Sequence, residues 1–155
     1  MTLLFRGGLS FDGDGGLKGG LGVLVEGDTI TKIAPTAEFD GFSGQIIDTT
    51  DGTLLPGLFD CHVHLVYAGD PDPFQRMNNM SDADITLLAL ENAQTSIAGG
   101  ITALRDCGGK DYLEFAVRDA CNKGTFVGPT IAAAGRMICH DWWARQPGGA
   151  RRRRG

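Results

Sequence analysis

The sequence predicts an α/β chain in two parts: a β-rich stretch up to Pro56, then a parallel alternation of strands and helices. Before Pro56, short runs of alternating apolar residues are separated by Gly/Asp turns, the pattern of half-buried strands. After it, apolar runs of strand length alternate with stretches of helical period, which is the signature of a parallel sheet. Composition agrees with folding: 155 residues with 42% hydrophobic and 21% charged content are globular rather than disordered.

The elements of residues 1–56 follow in order. Thr2–Phe5 is an apolar strand bounded by Gly7-Gly8, and Asp12 to Gly22 is a glycine-rich loop. That loop lacks the G-x-x-x-x-G-K-[ST] and strand–G-x-G-x-x-G–helix contexts of phosphate binding, so a plain turn is expected. Val23 and Val25, then Ile30 and Ile33, flank Glu26-Gly27-Asp28, whose glycine permits the positive φ of a hairpin. Gln45–Asp48 and Thr53–Leu55 are two further short strands.

Past Pro56, Leu58–Val66 reads as a strand and Tyr67 to Met80 as a long loop, of the kind that covers substrate at a barrel mouth. Ser81 is an N-cap with acidic Asp84 three residues on. Ile85, Leu88, Ala89, Ala93 and Ile97 recur at helical spacing, and Gly99-Gly100 ends that helix. Ile101–Leu104 is a second strand, and residues 111–123 are a second helix with Leu113, Ala116, Val117 and Ala120 inward. A third strand lies within Phe126–Ala134.

Charge and cysteine content exclude some classes. The formal net is −5, but residues 140–155, with five arginines against Asp141, carry +4, which leaves −9 on residues 1–139. So acidic a body repels phosphates, and no specific nucleic-acid partner is expected despite the arginine cluster. No stretch has the length and apolarity of a membrane span or signal peptide, so a soluble, cytoplasmic protein is expected. Cys61, Cys107, Cys121 and Cys139 have no C-x-x-C pairing and read as buried, reduced thiols.

The chemistry lies in Pro56-Gly57-Leu58-Phe59-Asp60-Cys61-His62-Val63-His64-Leu65. On a strand, alternate side chains share a face, which groups Asp60, His62 and His64 and turns Cys61, Val63 and Leu65 the other way. Two neutral imidazoles on one face, roughly 6–7 Å apart along the strand, suit zinc and similar borderline ions. His-x-His alone also occurs without a metal, and Asp60 alone could serve a turn or cap. The context adds weight: Pro-Gly breaks the chain just before the strand, and α/β alternation follows. Arg105-Asp106 ends the second strand, as a loop anchor, a strand-end salt bridge or a substrate contact.

Pro56–Leu65 resembles the P-G-[LIF]-[IVF]-D-x-H-x-H motif of the amidohydrolase superfamily. Gly99-Gly-Ile-Thr-Ala-Leu-Arg-Asp-Cys-Gly-Gly109 resembles that family's second barrel strand, and Gly128–Gly135 its third. The hairpin around Gly27 resembles its N-terminal sandwich, and the closest likeness is to the imidazolonepropionase-like branch that includes prolidase-like dipeptidases. The resemblance implies a β-sandwich over residues 1–56 and the first three units of a truncated (β/α)₈ TIM barrel over residues 57–139. It implies a divalent metal, commonly zinc, with His62 and His64 as first-strand ligands and Asp60, Arg105 and Asp106 as site-shaping or substrate residues. The other family ligands and the general-base aspartate have no counterpart here, so the chain by itself is expected to be inactive. The resemblance further implies a small-molecule or dipeptide substrate and a homo-oligomeric parent, with self-association of the fragment. A stand-alone metal-binding module and a cyclic-amide hydrolase such as imidazolonepropionase remain as alternatives.

Residues 140–155 have no period and no cap, and read as a disordered basic tail. Their codons, read one base later, can spell Met-Thr-Gly-Gly-His-Gly, and the paired codons of Trp142 and Trp143 force the two glycines. That string resembles the T-G-G-H-G segment after the family's third strand, so the tail reads as a single-base insertion near Cys139–His140. Deleting that base from the gene should let translation continue to roughly family length. An immediate stop codon on resequencing would refute the reading.

Overall fold

The computed structural model describes residues 1–137, so the expected basic tail and Cys139 lie outside the described residues. The chain divides into two units, Met1–Pro56 and a second that begins at Gly57.

In the first unit the alternating runs pair into two sheets. The strands are β1 (Thr2–Arg6), β2 (Leu9–Phe11), β3 (Leu17–Lys18), β4 (Leu21–Glu26), β5 (Thr29–Pro35), β6 (Gln45–Asp48) and β7 (Thr53–Leu54). One sheet runs β5-β4-β1-β6 and the other β3-β2-β7. The β4–β5 hairpin turns at Gly27, whose φ of 66° is the left-handed value the sequence anticipated. Leu4, Ala34 and Phe39 form the core of this unit. Gly22 makes that packing possible, because a Cβ there would stand 2.8 Å from two Phe39 ring carbons. The glycine-rich stretch is therefore not one loop: β3 and the start of β4 lie inside it. Its Asp12 builds a turn, accepting the amides of Asp14 and Gly15 and pairing with Lys18.

The second unit is a three-stranded sheet in the order β10-β9-β8, from β8 (Leu58–Val63), β9 (Ile101–Asp106) and β10 (Thr130–Ala133). Both pairings are parallel. Three helices accompany it: α1 (Pro73–Asn79), α2 (Asp82–Ala98) and α3 (Glu114–Asn122). Ser81 caps α2 through Asp84, as its spacing predicts. Ile85, Ala89 and Ala93 of α2 are buried with Leu104, Val117 and Ile131, while Leu88 and Ile97 are only half-buried.

Three expectations need correction. The connection from Tyr67 to Met80 contains α1, capped by Asp72, whose side chain accepts from the Gln75 amide, with Pro73 at the first helical position. The second helix starts at Glu114 rather than residue 111, because Asp111 and Tyr112 adopt φ values of 50° and 65°. Those left-handed values are incompatible with a right-handed helix. Its inner face is Glu114, Val117 and Cys121, and Ala116 is exposed.

At the β10 edge a side chain takes part of the strand's outward hydrogen bonding. Ala134 donates to the Asp106 carbonyl of β9, so in a parallel ladder Ile131 turns its own amide and carbonyl away from β9. The side chain of Asn122 takes both groups, at 3.0 and 3.2 Å, where a neighbouring strand would otherwise pair. Among the cysteines, Cys121 is buried, Cys107 half-buried and Cys61 exposed, which corrects the expectation of burial for Cys61. No helix among the described residues is long and apolar enough to cross a membrane.

Ile85 is fully buried where α2 meets the sheet. Ile85→Ala should lower unfolding stability in urea by about 2–5 kcal/mol, and a negligible change would show that this core is not packed.

Candidate metal centre

Strand β8 enters the sheet through Pro56-Gly57, and the glycine is required there. A Cβ on Gly57 would meet Thr102 Oγ1 of β9 at 2.1 Å. The Leu58 amide then donates to the Gly100 carbonyl and starts the pairing. Asp60 pairs with Leu104 and Val63 with Asp106, so β8 advances three residues where β9 advances two. The extra residue is a bulge. It puts Asp60 and Val63 in register with residues of one face, Leu104 and Asp106, and breaks the alternation that would have grouped Asp60 with His62. The Asp60 carboxylate instead accepts the His62 amide at 3.0 Å, a local bond that stabilises the irregular backbone.

The two histidines do come together. Their ring centroids lie 5.4 Å apart at an interplanar angle of 74°. His64 falls one residue beyond the strand's end and is half-buried, while His62 is exposed. The Nδ1 of His64 lies 2.7 Å from the Gly108 carbonyl oxygen. A carbonyl can only accept, so Nδ1 carries the proton and donates. In the neutral ring Nε2 is then left with its lone pair free for a metal.

Behind the imidazoles, Asp106 is completely buried. Its Oδ2 accepts the Leu65 amide at 2.8 Å and its Oδ1 the Gly108 amide at 2.7 Å. Of the alternatives offered by Arg105-Asp106, the geometry of Asp106 is that of a loop anchor. Arg105 is exposed at the same strand end and has no ion pair among the described residues.

The Tyr67 ring lies against that of His64 at 5.3 Å between centroids, tilted by 50°, and meets Phe74 edge-on at 5.2 Å. Its hydroxyl pKa is pushed up to about 12, first by burial and then by the negative charge of Asp106. Asn92 of α2 fixes this segment by donating to the carbonyls of Leu65 and Tyr67. Sequence reasoning missed Tyr67, Gly108 and Asn92, whose roles arise from residues far apart in the chain. The only signal was Gly108-Gly109 directly after a strand, where backbone must approach closely.

Among the described residues no third His, Cys, Asp or Glu joins these histidines as a possible metal ligand. The donor set fits two positions of a metal site, whereas a catalytic zinc typically has three protein ligands.

Glu114 was also missed. It is wholly buried at the start of α3, and neither carboxyl oxygen has a hydrogen-bond partner among the described residues. Burial raises its pKa above the ordinary carboxylate value, and the Asp106 charge adds to the rise. The nearby amides of Glu114 and Gly135, which do not reach hydrogen-bonding geometry, and the charge of Arg118 lower it by less.

The amidohydrolase family model matches residues 53–141. An imidazolonepropionase of Photorhabdus laumondii is 39% identical over 66 residues, 41% of this chain and 16% of that protein. The crystal structure of a Xaa-Pro dipeptidase with methionine bound in its active site is similar at a TM-score of 0.77 and 28% identity. The likeness covers 89% of this chain and 34% of the dipeptidase. A molinate hydrolase structure is similar at a TM-score of 0.74 and 26% identity, over 88% of this chain and 30% of the hydrolase. This chain therefore spans about a sixth to a third of the length of these proteins.

A carboxyl group with a raised folded-state pKa holds its proton more tightly folded than unfolded. Its contribution to stability is present at low pH and lost as pH rises through the raised value. Glu114→Gln removes the charge and keeps the shape. In urea unfolding from about pH 4 to 8, the variant should match the parent at the acid end. It should become progressively more stable than the parent toward neutrality, where the parent must either keep its buried carboxyl protonated or bury a charge. Identical pH dependence in the two proteins would refute the buried, unpaired assignment.

Proposed function

We propose, from the premise that this chain belongs to the amidohydrolase family in its imidazolonepropionase- and prolidase-like branch, that His62 and His64 are two ligands of a divalent-metal centre in a hydrolase acting on C–N bonds. The observation that carries this reading is the adjacent pair of rings, with the His64 tautomer fixed so that Nε2 is free. Zinc is the first metal to consider, because neutral imidazole nitrogen suits it.

In this reading residues 1–56 are the β-sandwich part and residues 57–139 open a (β/α)₈ barrel, with β8 as its first strand. The ends of barrel strands are where such folds keep their active sites. A bound divalent metal would polarise the scissile carbonyl and lower the pKa of the attacking water. This chain would contribute His62, His64 and the polar frame around them. Arg105, exposed at the end of β9, is the candidate for a substrate contact. The general base and further ligands would come from parts of the longer relatives that this chain does not match.

The substrate class we favour is a dipeptide, with Xaa-Pro and Xaa-Arg/Lys first, because the likeness to the Xaa-Pro dipeptidase extends over 89% of this chain. A second reading, hydrolysis of a cyclic amide, is favoured by the 39% identity to imidazolonepropionase. A non-catalytic metal-binding module is the third. The parent is proposed to be a cytoplasmic homo-oligomer. The short chain is proposed to self-associate through apolar surface such as Phe59, which is 76% exposed on β8.

The test compares this chain with the frame-corrected, family-length product. The short chain should bind zinc weakly and turn over no dipeptide, since no third ligand joins the histidines among the described residues and the family's acid–base aspartate, of a kind worth about 10²–10⁴-fold in rate, is expected from the unmatched parts of the relatives. The long product should bind zinc and cleave Xaa-Pro, Xaa-Arg or a cyclic amide. His62→Ala or His64→Ala should abolish both properties. Turnover by the short chain with zinc would overturn the account, as would zinc binding indifferent to both substitutions.

A further inference from the structure

We infer that Asp106 is a positioning residue for His64, acting through Gly108. The inference rests on the reading of His64 as a metal ligand and adds the residue that sets its ring.

The hydrogen bonds form a closed circuit. The Nδ1–H of His64 donates to the Gly108 carbonyl at 2.7 Å. The amide of the same glycine donates to Asp106 Oδ1 at 2.7 Å. The other oxygen of that carboxylate accepts the amide of Leu65, the residue after His64, at 2.8 Å. One carboxylate thus fixes the backbone beside His64 and also the residue that receives the His64 ring. A backbone bond from the Cys107 amide to the Val63 carbonyl at 2.8 Å closes the circuit on its other side.

Gly108 can face both ways only because it is glycine. Its φ is 118°, and a Cβ there would lie 2.7 Å from the Met137 amide nitrogen. This residue has no freedom to find another acceptor for its amide without turning its carbonyl away from His64. Asp106 is fully buried, so no water competes for its oxygens, and bonds to a carboxylate are stronger than those between neutral groups. Residues that orient a metal-binding imidazole through its second nitrogen act on metal affinity without touching the metal.

A purely structural anchor would change stability and leave the His64 tautomer alone, so the tautomer decides. Long-range ¹H–¹⁵N correlation spectra of the metal-free chain, at a pH where the imidazoles are neutral, report which ring nitrogen holds the proton. In the parent, His64 should be the Nδ1–H form. In Asp106→Asn one acceptor oxygen becomes an NH₂ group, which cannot take the second amide. His64 should then shift toward the Nε2–H form, while His62, which is outside the circuit, keeps its spectrum.

A folded Asp106→Asn protein with unchanged His64 tautomer overturns the inference. If that variant does not fold, the parent spectrum alone still decides: an Nε2–H form of His64 overturns the inference, and an Nδ1–H form correlated through the hydrogen bond to the Gly108 carbonyl carbon supports it. Zinc titration is the separate arm. Affinity should fall about 10–100-fold in the folded variant. Run on the family-length product, a tautomer shift with no zinc binding would sink the metal reading and leave the positioning role standing. Zinc binding with an unmoved tautomer would do the reverse.

Discussion

The buried carboxylate of Asp106 is the constraint on which the second unit's end depends. Strands β8 and β9 run parallel, and both stop at the same level, where the ladder of backbone bonds gives out. Beyond that level the amides of Leu65 and Gly108 would be orphaned in a low-dielectric interior, a cost of about 1–3 kcal/mol for each. Asp106 takes both. Two loops that share no secondary structure are thereby tied to one side chain. The candidate ligand His64 is held between them by its ring and by the backbone of its neighbour.

The same carboxylate explains two further features. After burial, its charge raises the pKa of both the Tyr67 hydroxyl and the Glu114 carboxyl, because both lie close to it in the interior. Negative charge concentrated behind the imidazoles would favour a cation in front of them. Asn92 and Asn122 use one device at two places. Each is a helix side chain that supplies backbone partners where a strand cannot: Asn92 to the carbonyls of Leu65 and Tyr67, Asn122 to both groups of Ile131. Polar helix residues at the sheet interface are therefore part of the sheet's hydrogen bonding rather than flaws in an apolar face.

Much of this was legible in the sequence, and the failures have local causes. Period-2 alternation located β8 and the pair His62 and His64, because alternation follows from the pleat itself. It misplaced Asp60, because a bulge depends on how the neighbouring strand pairs and has no residue signature here. The helix period found α2 with its cap. It mis-phased α3 because the apolar Leu113, Ala116 and Ala120 set the expected face, whereas the inner face runs Glu114, Val117, Cys121. Asp111 and Tyr112 hid the helix start, since a left-handed conformation is unusual for residues with side chains. Helix α1 was lost in a presumed loop, although Asp72-Pro73 is a cap followed by a first-turn proline.

These failures bear on how the candidate site works. The alternation argument asked for three polar groups on one face, with Asp60 a site-shaping residue below the two histidines. The bulge takes Asp60 off that face, and its carboxylate accepts the His62 amide. The two imidazoles are thus fixed by different means: His62 through its backbone, by Asp60, and His64 through its ring, by Gly108. A ring held at its second nitrogen is oriented before any ion arrives, whereas an exposed ring on a fixed backbone keeps its side-chain rotamer freedom. On the proposed reading, His64 would on these grounds be the pre-organised ligand and His62 the adaptable one.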